Sequence, residues 1–158
     1  MGNKTLIYKI KVEDNLKQSY THLKRLNNAF TQLQNRYIFP IDKNSYIKII
    51  DNIQDLAFSD QIIYRFSKLQ DTIGAKLFKG LLLYQGENID KPFLDILNQL
   101  EKIDIVNVDE WFELRDLRNE IAHDYDNSDY LAIDILNNIF ELKKELEKIL
   151  NSVKNLIG

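Results

Sequence analysis

From about residue 13 to the end, apolar side chains return every third or fourth position, and an α-helix is the regular structure that gathers such a pattern onto one face. Five glycines and two prolines in 158 residues offer few places to interrupt it. The spacing predicts an all-α fold, an antiparallel bundle of about five to six helices, in a single domain over residues 1–158.

The first helix is expected over residues 13–37, with Leu16, Tyr20, Leu23, Phe30 and Leu33 along one stripe and a stop before Pro40. A second is expected over 45–57, carrying Tyr46, Ile49, Ile50, Ile53 and Leu56. Phe58-Ser59-Asp60 reads as a reset, with Ser59 capping a long third helix through Ile62, Phe66, Leu69, Ile73, Leu77 and Leu81. Gln85-Gly86-Glu87-Asn88 is a loop, and Pro92 suits the first turn of a short helix through Leu94, Leu97 and Leu100. Asp109 is the expected cap of a helix through Trp111, Leu114, Leu117 and Ile121 that ends near His123. A last amphipathic helix is expected over 129–156, capped by Asp126 or Ser128.

Composition removes several functions. There is no cysteine, hence no disulfide, thiolate metal site or cysteine nucleophile. Asp124, Asp126 and Asp129 have loop-like spacing but lack the glycine and terminal glutamate of a calcium loop, so they read as a helix start. Neither a metal nor a cofactor is expected. Leu81-Leu82-Leu83-Tyr84, the longest apolar run, is far short of the roughly 20 residues that cross a bilayer. With no apolar leader or acylation signal in the first residues, a cytoplasmic protein without contact to a membrane is expected. The formal net charge of −3 excludes a broad basic coat for nucleic acid and leaves room only for a short basic cleft.

The chemistry-bearing residues concentrate in Arg118-Asn119-Glu120-Ile121-Ala122-His123-Asp124-Tyr125. At roughly 100° per residue, Leu114, Leu117 and Ile121 share a core face, while Phe112, Arg115, Asn119 and His123 share another, with Arg118 and Trp111 at its border. Phe112 is an odd residue to leave in water, and the same face of a second subunit would cover it. A guanidinium forks onto phosphate oxygens and an imidazole transfers protons near neutral pH, a combination suited to phosphodiester cleavage. Asn119 and His123 are one turn apart, so the amide can orient the ring. In the third helix, Tyr64, Arg65, Lys68 and Asp71 interrupt the apolar stripe with the spacing of a solvated ion-pair face, with an RNA groove formed by Arg115, Arg65 and Lys68 as the functional alternative. His22 has no metal-ligand companion and reads as a surface or internally satisfied histidine.

The octapeptide resembles the Arg, four residues, His, one residue, Tyr signature of HEPN-domain toxins, in particular the HepT-like branch paired with minimal nucleotidyltransferases. Asp109-Glu110-Trp111-Phe112-Glu113-Leu114-Arg115-Asp116-Leu117 is similar to the stretch that precedes that signature, and the run from Phe58 to Phe78 to its long central helix. The resemblance implies a HEPN bundle, akin to nucleotidyltransferase substrate-binding subunits, that dimerises through its motif helices and cleaves RNA without metal. It makes His123 the general base or acid, Arg118 the stabiliser of transition-state charge and Asn119 a supporting residue. It also implies a cognate nucleotidyltransferase antitoxin that silences the toxin by transferring AMP to Tyr125, with Tyr130 as a competing acceptor. Two alternatives accompany it: a non-catalytic nucleotide- or substrate-binding regulatory subunit of a nucleotidyltransferase, and a purely structural helical module.

Overall fold

A computed structural model describes residues 2–124 and 128–158, the side chain of Asp124 excepted, and no strand occurs among the described residues. The elements are α1 (Asn3–Gln34), α2 (Lys43–Asp51), α3 (Ile53–Thr72), a π-helical turn (Ile73–Leu77), α4 (Phe78–Tyr84), α5 (Phe93–Lys102), α6 (Val108–Asp124) and α7 (Asp129–Ile157). Because α3, the π-turn and α4 follow without interruption, they act as one rod, giving six rods among the described residues. α1 lies mainly along this rod, and α6 and α7 pack against both it and each other.

The boundaries differ from the sequence expectation in instructive places. α1 starts at Asn3 rather than near residue 13. Nothing breaks the helix upstream, and each added residue gains a backbone hydrogen bond even though Leu6, Ile7 and Ile10 remain exposed. The reset expected at 58–60 falls at Asn52 instead. Its backbone is extended, and its side chain accepts from the Asp55 amide at 3.0 Å, so α3 begins there. Asp55 then anchors the junction: its buried carboxylate takes the Tyr37 hydroxyl at 2.8 Å and the Arg36 guanidinium, tying the end of α1 to the start of α3. Ser59, expected as a cap, is buried inside α3.

Pro92 does not enter the first turn of α5 but precedes it, with ψ 147. Within α5, Leu94 turns to solvent and Ile96 joins Leu97 and Leu100 inside. Ser128 caps α7 by accepting from the Leu131 amide at 3.1 Å. Around one continuous core, Phe30, Phe39 and Phe140 form an aromatic knot with centroids 5.0–5.3 Å apart. Asn137 of α7 bonds both backbone groups of Ile41, holding the chain between α1 and α2 against that knot.

Candidate functional site

α6 carries the site and is fixed first by its start. The Asn107 side chain accepts from the Glu110 amide at 3.0 Å and the Glu101 carboxylate from the Val108 amide at 2.8 Å, so two amides at the helix start are satisfied. Asn107 therefore takes the capping role expected of Asp109, which lies inside the first turn with Glu110, where negative charge suits the helix dipole.

Packing then sets the rotation of the helix. Trp111, expected at the border of the polar face, is 1% exposed. Its ring lies 4.8 Å from Phe78 and 6.4 Å from Phe93, and its edge faces Gly74 in the π-turn. A Cβ at Gly74 would come within 2.9 Å of the indole Cζ2, so only glycine leaves room for the ring where it stands. Leu114 and Leu117 are buried behind it, and Ile121 is half-buried. Phe112 is half-buried against the chain's own core. Phe112 therefore does not need a second subunit to cover it.

One turn past Leu114, Arg118 meets α3. Its Nε and Nη2 donate to the two carboxylate oxygens of Asp71, each at 3.1 Å. This bidentate pair uses one edge of the guanidinium and leaves the Nη1 donors outside it. Asp71 had been matched by spacing to Lys68 on its own helix; the structure pairs it across helices instead. The Arg118–Asp71 pair is a common wall between two grooves. The larger, about 570 Å³, is also lined by Gln70, Gly74, Phe93, Trp111, Arg115 and Asn119. The smaller, about 330 Å³, is lined by Asp60, Ile63, Tyr64, Ser67 and Lys68 on the other side of the pair.

The expected site residues from α6 onward thus separate into three groups. Arg115, Arg118 and Asn119 line one cleft. His123 is exposed beyond it, in the last turn of α6, and is not among the residues lining either groove. Tyr125 lies outside the described residues, while Tyr130 is 75% exposed at the start of α7.

Of the two candidate groove residues on α3, Lys68 faces the smaller groove, whereas Arg65 turns toward α1 and donates from Nη1 to His22 Nδ1 at 3.0 Å. That bond requires Nδ1 to be unprotonated. Burial, followed by the positive charges of Arg65, Arg25 and Lys68, lowers the His22 pKa and favours the same neutral state. His22 is therefore an internally satisfied histidine. Among the described residues no group of three or more His, Asp or Glu side chains is arranged to hold a metal ion.

Sequence reasoning missed Asp71 as the partner of Arg118 and Gly74 as the seat of Trp111. A glycine inside an apolar helical stripe was a readable signal for close packing; the other depends on which helices meet. Set against models of protein families, curated proteins and solved structures, the chain finds no match.

Proposed function

We propose that this chain is a metal-independent endoribonuclease of the HEPN type, the toxin of a pair whose antitoxin is a minimal nucleotidyltransferase. The observation that carries the reading is the position of Arg118: half-buried, held by two bonds beside a cleft it shares with Arg115 and Asn119, with His123 one and a half turns further along the same helix.

In the reaction, His123 takes the proton of a ribose 2′-hydroxyl, or returns one to the departing 5′-oxygen, as that hydroxyl attacks the adjacent phosphorus. Arg118 and Arg115 meet the charge that grows on the phosphoryl oxygens. Arg118 must exchange Asp71 for phosphate, a small barrier because partly exposed ion pairs contribute only about 0–1 kcal/mol. A homodimer formed through α6 would bring two such sets together, and AMP on Tyr125 would add bulk and negative charge beside them.

A second reading draws on a specific observation. Arg115, Arg118 and Asn119 line the cleft while His123 lies outside it, an arrangement with groups to hold a phosphate but no imidazole beside them to move a proton, which favours holding a nucleotide over cutting RNA. The cleft, about 570 Å³, has the volume of a small-molecule site. Under this reading the chain is the regulatory subunit of a nucleotidyltransferase.

Expression and cleavage assays separate the two. The nuclease reading expects growth arrest and cleavage of cellular RNA in EDTA, with Arg118→Ala and His123→Ala each lowering cleavage about 100-fold or more. Cleavage by purified protein that survives both substitutions would overturn it. Co-expression with the partner enzyme should add AMP-sized mass that disappears in Tyr125→Phe.

A further inference from the structure

Beyond the Arg118–Asp71 wall, the α3 surface has features that the cleavage chemistry does not use. Tyr64 is 50% exposed, an aromatic ring within reach of a partner from solvent. Two cations stand near it: the Arg65 guanidinium carbon is 5.0 Å from the ring centroid and the Lys68 ammonium 5.7 Å. The two are held differently. Arg65 is fixed by its bond to His22, whereas Lys68 is exposed and at the outer limit of the cation–π range, so it can swing from the ring to an anion at little cost.

The ring borders the groove of about 330 Å³ that ends at Arg118. The Ser67 hydroxyl belongs to the lining and has no hydrogen-bond partner among the described residues. Asp60 and Asp71 are matched in the lining by Lys68 and Arg118, so the groove has no net charge to draw a phosphate inward, and Lys68 stands exposed at its rim. A neutral, flat group suits the interior. An aromatic platform whose covering lysine can swing out to the backbone, next to a groove without net charge, is an arrangement that accepts an unpaired base while its phosphates stay outside.

We propose that Tyr64, with Lys68, forms a stacking subsite for one nucleobase of a single-stranded RNA, adjacent to the Arg118 wall. This deepens the nuclease reading by naming the form of its substrate: an unpaired segment, because a base held in a duplex cannot reach the ring. Tyr64 is here a specificity-determining residue and takes no part in bond breaking.

The test uses the full chain carrying His123→Ala, so that RNA stays intact, and a short adenine-rich single-stranded RNA with a 5′ dye read by anisotropy. Tyr64→Ala should weaken binding about 5- to 100-fold, Tyr64→Phe should restore it, and a duplex of the same length should not distinguish the variants. Lys68→Ala should reduce the dependence of log Kd on log salt by about one unit. Replacing the adenines one at a time by abasic sites should locate a single position whose loss matters with Tyr64 and not with Ala.

Equal binding by the Tyr64→Ala protein, failure of phenylalanine to rescue, or no binding by the parent would overturn the subsite. The two readings fail separately. Tyr64-dependent binding with no cleavage by the chain containing His123 leaves the subsite and removes the nuclease. Cleavage at sub-saturating RNA that is undiminished in Tyr64→Ala removes the subsite and leaves the nuclease.

Discussion

In the first half of α6, Trp111, Leu114 and Leu117 are sunk into the core, and the indole is enclosed by Phe78, Phe93 and Gly74. In the second half, Arg118 is held by a salt bridge to Asp71, while Asn119, Glu120, Ala122 and His123 stand in solvent. The same helix therefore grades from packing-fixed to unconstrained within a few turns. Fold energy has been invested in aiming the arginine and not the histidine. Under the proposed chemistry, His123 gains its working geometry only when RNA or a second subunit closes over it.

That contrast can be tested by substitution, starting where the effect is largest. Trp111→Ala should destabilise the chain by about 3–5 kcal/mol, the cost of emptying a large aromatic site in a core. Denaturant unfolding would measure it, and a loss below about 1 kcal/mol would mean that α6 is not seated by this ring. Arg118→Ala should cost at most about 1 kcal/mol, the range of a partly exposed ion pair. His123→Ala should stay within about 0.5 kcal/mol, as for a surface position. If His123→Ala proved the more destabilising of the two, the gradient along α6 would be reversed.

The smallest effect is a slope, and it belongs to the packed histidine, His22. The His22 pKa is lowered from its ordinary 6.5 by burial and by Arg65, Arg25 and Lys68. Between 6.5 and the lowered value, the unfolded chain binds more protons than the folded one. Stability from His22 is thus complete above 6.5 and is lost as pH falls through the lowered folded value. Stability curves across mildly acid pH should flatten in His22→Gln. A slope that persists in His22→Gln would assign it to other groups.

Fold class was readable because a three- and four-residue apolar spacing has only one regular solution. Boundaries were less so. Ser59 and Asn52 both have capping side chains, and only the buried Asp55 anchor to Arg36 and Tyr37 decides between them. Local spacing likewise matched Asp71 with Lys68, since sequence distance says nothing of the helix that arrives from 47 residues away. The grouping of Arg115, Arg118 and Asn119 was visible on a helical wheel. That Phe112 and Trp111 would turn inward was not, because the wheel gives angles and not the width of the buried face.

The peg that seats α6 has a further use. Trp111 is the only tryptophan in the chain, and it stands two turns before Arg118 on the same helix. Its emission is therefore an intrinsic optical gauge of the site. Enclosed by two phenylalanines and a glycine, the indole should emit at the blue end of its range, and any ligand or partner that lifts α6 should shift it to the red. The seating of the proposed site can be followed in the unlabelled protein, in real time, while RNA or the partner enzyme is added.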